Sequence, residues 1–193
     1  GSHIKAVRNN AYYHKGKPYL DGTSAVFAKK YSINLQALRG GRAYIQFRGF
    51  PPKMRDDLKK ALGDKLTVQE GDWNCVLNVT PNNKVKPFDD PRVRRALSLA
   101  IDRWGGSNYL SKIAIVKTAG GIVYPSHPLG ATKAELHKIA GWWPDINKSR
   151  AEAKRLLKEA GYPNGFSFTF HNRAVDQPYK IVGTWLIDQW RQI

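Results

Sequence analysis

The spacing of apolar and polar positions divides the chain into short strands and amphipathic helices. Residues 23–29 read as a short strand, and the helical spacing that follows, through Leu35 and Leu38, stops at Gly40-Gly41. Residues 43–47 read as a strand. Pro51-Pro52 then opens a helix whose Met54, Leu58, Ala61 and Leu62 share one face, with Gly63 in the stop position. Two more strands are expected at 65–69 and 73–80, the second nearly all apolar at its centre.

The helical signals of the second half are more explicit. Asp90 is placed to cap, and Pro91 to begin, a helix carrying Val93, Ala96, Leu97, Ala100 and Ile101, which Gly105-Gly106 is expected to end. A short helix is expected near 109–115, then a long irregular loop over 120–130, which contains Pro125 and Pro128. Ser149 and Glu152 have capping-box spacing ahead of Ala153, Leu156, Leu157 and Ala160, and Gly161 closes that helix. Past the turn at 162–165, Phe166, Phe168 and Phe170 alternate with polar residues as in a strand. Pro178 then opens a last helix with Val182, Leu186 and Ile193. Strands interleaved with helices predict an α/β fold, a mixed sheet flanked by helices.

The last helix receives no stop signal, and Gly1-Ser2-His3 has the form of an expression-tag remnant. The expectation is a remnant at 1–3 and a single α/β domain over 4–193, a fragment of something larger.

Composition narrows the function. With 193 residues, 41% of them hydrophobic, the chain holds enough apolar material for a core. A complete globule of this length buries roughly 70% of its extended-chain surface, and disorder is not expected. No apolar run approaches the roughly 18 residues needed to cross a bilayer, so membrane insertion is not expected. The 32 Lys and Arg against 15 Asp and Glu give a formal charge of +17, which attracts polyanions in general and leaves a basic nucleic-acid-binding domain as the alternative reading. The charges fall in separate clusters such as Lys29-Lys30 and Lys59-Lys60, without a zinc-finger, RNA-binding or basic-zipper signature, so nucleic acid is not the expected partner.

The five histidines have no metal-ligand spacing, Cys75 is the single cysteine, and neither a phosphate-cradling glycine loop nor a Gly-x-Ser-x-Gly elbow is present. Metal, cofactor and enzymatic activity are therefore not expected.

Lys86-Pro87-Phe88-Asp89-Asp90-Pro91-Arg92-Val93-Arg94-Arg95-Ala96-Leu97-Ser98-Leu99-Ala100-Ile101-Asp102-Arg103 closely resembles the signature of bacterial extracellular solute-binding proteins of the dipeptide/oligopeptide family. Three further stretches agree in order and spacing: Val7-Arg8-Asn9 with Gly16 to Gly22, Leu77-Asn78, and Ala153 to Gly165. The resemblance covers most of positions 5 to 193. It implies one lobe, the second, of a two-lobed periplasmic binding protein type 2 fold that serves an ATP-driven (ABC) importer. The partners it implies are a peptide or similar small solute, held with the absent lobe, and the importer's permease in the full-length protein. The location it implies is periplasmic or extracellular.

In open α/β folds ligands meet the loops at strand ends, which singles out residues 172–179. Asn172, Arg173, Gln177 and Tyr179 are the first candidates for ligand contact, with Trp73 and Asn78 behind them. This stretch resembles the Gln-Arg-Pro-Tyr motif of the dipeptide-binding branch, whose Arg is implied to pair with a peptide carboxylate. Gln177 stands at that Arg position, and a neutral amide cannot replace a guanidinium fork unless Arg173 supplies the charge. Where the family commonly has an acidic stretch, the chain has Arg39-Gly40-Gly41-Arg42. Basic residues on the cleft side would favour an anionic or carboxylate-bearing solute.

Overall fold

The structure, a computed structural model, describes residues 2–47, 49–71, 76–114, 116 and 118–193. The chain begins with two antiparallel strands, β1 (His3–Val7) and β2 (Gly22–Val26), in register from His3 opposite Val26 to Val7 opposite Gly22. Helices α1 (Tyr31–Arg39) and α2 (Pro52–Leu62) follow, and a single 3-10 turn (Gly63–Lys65) closes α2 at the glycine expected to stop it. The remaining regular elements are helical: α3 (Pro91–Leu99), α4 (Arg103–Ile113), the one-turn α5 (Lys133–Leu136), α6 (Ile146–Glu159) and α7 (Ile181–Trp190), the last entered through a π-helical turn at Asp176–Lys180.

The α/β class holds, but the sheet differs from the expectation. Among the described residues the strands are β1 and β2, a two-stranded antiparallel ladder in place of a mixed sheet. Segments 43–47, 65–69, 76–80 and 166–170 join no ladder, and residues 73–75 lie outside the described residues. Alternation reports only that one side of a segment needs cover, whereas a strand needs a neighbour for its N–H and C=O groups. At 166–170 side chains supply that cover. Phe88 meets Phe166 and Phe168 edge-on at 6.0 and 5.3 Å, and Trp190 meets Phe168 and Phe170 at 5.5 and 5.3 Å.

Helix starts follow local cap chemistry where the right cap was identified. The Asp90 carboxylate accepts the Arg92 amide at 2.8 Å, with Pro91 at the first helical position. Gly105-Gly106 does not end α3; both glycines lie in the first turn of α4, where Asp102 accepts the Gly105 amide at 2.8 Å. Nor do Ser149 and Glu152 cap α6. Its cap lies four residues earlier, at Asp145, which accepts from the amides of Asn147 and Lys148 at 2.9 and 3.1 Å. A capping box does form at Thr132 and Glu135, ahead of α5.

The core lies between α3 and α6. Val93, Ala96 and Leu99 meet Ala153, Leu156 and Leu157, flanked by Phe88, Trp143, Tyr162 and Phe166. A second cluster, Leu110 with Val182 and Leu186, joins α4 to α7. The last carbonyls of a helix have no partner within it, and here other elements supply them. Leu97 accepts from the Trp190 indole at 3.1 Å, Ser98 from Arg103 at 2.9 Å, Leu99 from the Ser149 hydroxyl at 2.8 Å and Ala100 from Arg150 at 3.3 Å. Three elements thereby lock onto one end of α3.

The surface left over is large. The accessible area is 14305 Å², against about 9300 Å² for a complete globule of 21.8 kDa. Folding therefore buries about 55% of the extended-chain area rather than the roughly 70% expected for this length.

Candidate functional site

Residues 172–179 form a turn between the aromatic segment and α7. Asn172 ties it from both sides: its Nδ2 donates to the Tyr179 carbonyl at 2.7 Å, and its Oδ1 accepts the Arg173 amide at 2.9 Å. The turn lies close on α7 because position 183 is glycine, where a Cβ would collide with the Asn172 amide. The Arg173 guanidinium then sits over the Tyr179 ring, 4.2 Å from its centroid. Arg173 is exposed and Tyr179 half-buried.

Gln177 turns the other way. It is 7% exposed and donates from Nε2 to the Ile113 carbonyl, at the end of α4, at 3.1 Å. Its Oε1 is buried without a partner among the described residues. Three of the four first candidates thus come together on one surface, and the fourth fastens the turn to α4. Asn78 is exposed in the segment 76–80, and no hydrogen bond joins it to the turn among the described residues. Trp73 lies outside the described residues.

A groove of about 320 Å³ between α4 and α7 starts one residue past Tyr179, lined by Tyr109, Ile113, Ile181 and Trp185, with Lys180 and Asp188 at its margins. Sequence reading missed it. Its signal was the four-residue spacing of Tyr109 and Ile113, repeated by Ile181 and Trp185.

The signature from Phe88 to Arg103 proves to be a joint. Arg92 meets Asp90 through Nη2 and Oδ2 at 2.6 Å and donates to the Glu159 carbonyl at 2.8 Å, bridging the start of α3 to the end of α6. Arg92 holds the Asp90 carboxyl below its ordinary range. Arg94 donates to the carbonyls of Phe88 and Asp89 at 2.7 and 3.1 Å. Arg103 donates to the carbonyls of Ser98 and Gly141 at 2.9 and 2.6 Å and packs 4.2 Å from the Trp142 ring centroid. Gly141, at φ +93°, is free of the Cβ that would crowd this guanidinium. Burial pulls the Arg103 guanidinium down to about 10, so it is still charged at neutral pH. Part of the positive excess is therefore spent on internal carbonyls. Among the described residues no group of His, Cys, Asp and Glu could hold a metal ion, and no helix is long and apolar enough to cross a membrane.

A helical body that carries a polar turn and leaves a large face uncovered is consistent with part of a solute-binding protein. The chain belongs to the bacterial extracellular solute-binding proteins, family 5, whose middle-region model matches residues 1–193. It is 31% identical over 180 residues to the glutathione-binding protein GsiB of Shigella flexneri serotype 5b (strain 8401) and to that of Escherichia coli (strain K12). It is also 31% identical over 179 residues to GsiB of Pectobacterium atrosepticum. In each case the match takes in 90% of this chain and 32% of the relative, so the chain spans about a third of the length of these proteins.

Proposed function

We propose that this chain is one lobe of a hinged, non-enzymatic solute receptor that delivers a peptide or similar small solute to an ABC importer outside the cytoplasmic membrane. The turn at 172–179 forms one wall of its cleft. Arg173 and Tyr179 face the solute, Asn172 and Gln177 hold the wall in place, and Asn78 and Trp73 are contacts further along the chain. The observation that carries this reading is the match of the whole chain to a solute-binding family, at a third of its relatives' length and with 14305 Å² of surface left accessible. Glutathione is the first solute to test, because the relatives are named for binding it.

Half a cleft supplies half the contacts, and the entropy of capturing a solute then goes uncompensated. In calorimetry the full-length receptor containing this chain should bind glutathione or a short peptide saturably. The 193-residue chain alone should give no saturable heat at micromolar concentrations. Tight stoichiometric binding by the chain alone would refute the division into lobes, and a full-length protein indifferent to every small solute would refute the receptor.

A further inference from the structure

Residues 22–55 contain seven Lys and Arg and no Asp or Glu. Two of those cations meet carboxylates, and both reach past the stretch to do so: Lys53 to Asp57 at 3.6 Å, and Arg55 to Asp56 and Glu70 at 2.8 Å each. Lys29, Lys30, Arg39 and Arg42 are exposed and form no ion pair among the described residues. Lys29 and Lys30 stand at the start of α1, Arg39 and Arg42 at its end, about 13 Å away along a nine-residue helix. The amide of Arg42 donates to the Ala37 carbonyl at 2.8 Å, which folds the chain back onto that end of α1.

Between the two pairs of cations the surface is apolar and open. α1 buries none of its residues, and its Ile33 is 53% exposed. Phe27 before the helix, and Tyr44, Ile45 and Phe47 after it, are exposed as well. The backbone amides of 44–47 donate to nothing among the described residues. Exposed apolar side chains and unused backbone donors, rimmed by unpaired cations, suit a protein surface better than they suit water.

The amount of surface selects the kind of partner. The accessible area exceeds that of a complete globule of 21.8 kDa by about 5000 Å², whereas a standard interface takes about 800 Å² from each side. Cover on that scale belongs to a permanent neighbour, and the matched relatives are about three times as long as this chain. A membrane surface would meet a single patch.

We infer that α1 and residues 43–47 are the seat of another part of the same receptor polypeptide, an apolar surface edged by Asp and Glu that meet Lys29, Lys30, Arg39 and Arg42. This rests on the reading of the chain as part of a longer receptor and is independent of the solute wall at 172–179.

The test compares the full-length receptor with the 193-residue chain. Reversing the four charges together (Lys29→Glu, Lys30→Glu, Arg39→Glu and Arg42→Glu) should lower the melting midpoint of the full-length receptor by several degrees, because each new carboxylate would face another. The loss should shrink in 0.5 M salt, and exchanging Lys for Arg and Arg for Lys at the same positions should cause none. In the 193-residue chain the reversal should not lower the midpoint. A second measurement needs no variant: hydrogen exchange at the amides of 44–47 should be at least about 100-fold slower in the full-length receptor than in the chain alone. Equal exchange in the two proteins overturns the seat. Slowed exchange with a harmless reversal, or a reversal that lowers both midpoints equally, overturns the acidic edge. Sedimentation of the full-length receptor with phosphatidylglycerol vesicles, and not with phosphatidylcholine vesicles, through these four cations would replace the protein neighbour with a membrane. Failure of the full-length receptor to bind any small solute would refute the proposed function and leave each of these outcomes readable.

Discussion

The two halves of this chain use similar amounts of apolar sequence to opposite ends. In residues 88–193 the apolar positions of α3, α4, α6 and α7 face one another, and Val93, Ala96 and Leu99 are wholly buried. In residues 2–87 only Pro51 and Leu58 are buried among the described residues. Every residue of β1 and β2 is exposed, and Tyr44, Ile45 and Phe47 stand in solvent. Apolar surface costs free energy in water wherever it sits, so the first half is built to meet something and the second to hold itself together. A protein three times as long offers the obvious cover, and this division is what the substitutions below probe.

The largest effect belongs to the second half. Leu99 is 0% exposed in the α3–α6 interface, and its carbonyl also accepts the Ser149 hydroxyl. Leu99→Ala should cost about 2–5 kcal/mol, because the four side-chain clasps on the end of α3 limit how far the site can collapse. Thermal denaturation followed by circular dichroism checks this. A loss below about 1 kcal/mol would mean that α3–α6 is not the core.

A smaller loss is expected where the two halves join, at the start of α3. Arg92 lowers the Asp90 carboxyl from its ordinary 3.8, first through its side-chain hydrogen bond and then through its backbone amide. A carboxyl held lower in the folded than in the unfolded state adds stability at pH above its unfolded value. That contribution fades as pH falls through the folded value, below 3.8. Asp90→Ala should therefore lower the melting midpoint at pH 7 by less than Leu99→Ala does. The gap between Asp90→Ala and the unaltered chain should narrow as pH drops below 4. A gap that is constant with pH would show that the Asp90 charge has no part in capping α3.

How much of this was readable beforehand follows the range of the interactions. The Asp90 cap and the Gly63 stop of α2 were legible because each is decided within a few residues. The starts of α4 and α6 were misread because Asp102 and Asp145 outcompeted later signals, and Ser149 found its partner fifty residues away. Of the expected strands, the one at 23–29 formed in large part as β2, whereas those at 43–47, 65–69 and 166–170 and the described end of 73–80 failed for the same reason, since a ladder depends on a neighbour that alternation does not name. At the candidate site, that Asn172, Arg173 and Tyr179 come together was legible because one turn carries all three. That Gln177 faces inward is decided by the Ile113 carbonyl, 64 positions earlier, and no local pattern encodes it.

The smallest effect is the most discriminating. Ile45 and Phe47 are 78% and 89% exposed, so Ile45→Ser and Phe47→Ser remove no packing within this chain. In the isolated chain each should change stability by no more than about 0.5 kcal/mol. In the full-length receptor proposed above, the same two substitutions should lower the melting midpoint clearly if this surface is covered there, since a hydroxyl would then be buried. Solubility should run the other way, with the serine variants of the isolated chain aggregating less than the parent sequence. If both proteins ignored the changes, residues 43–47 would be a true outer surface. The contrast between the halves would then reflect a thin first half rather than a covered one.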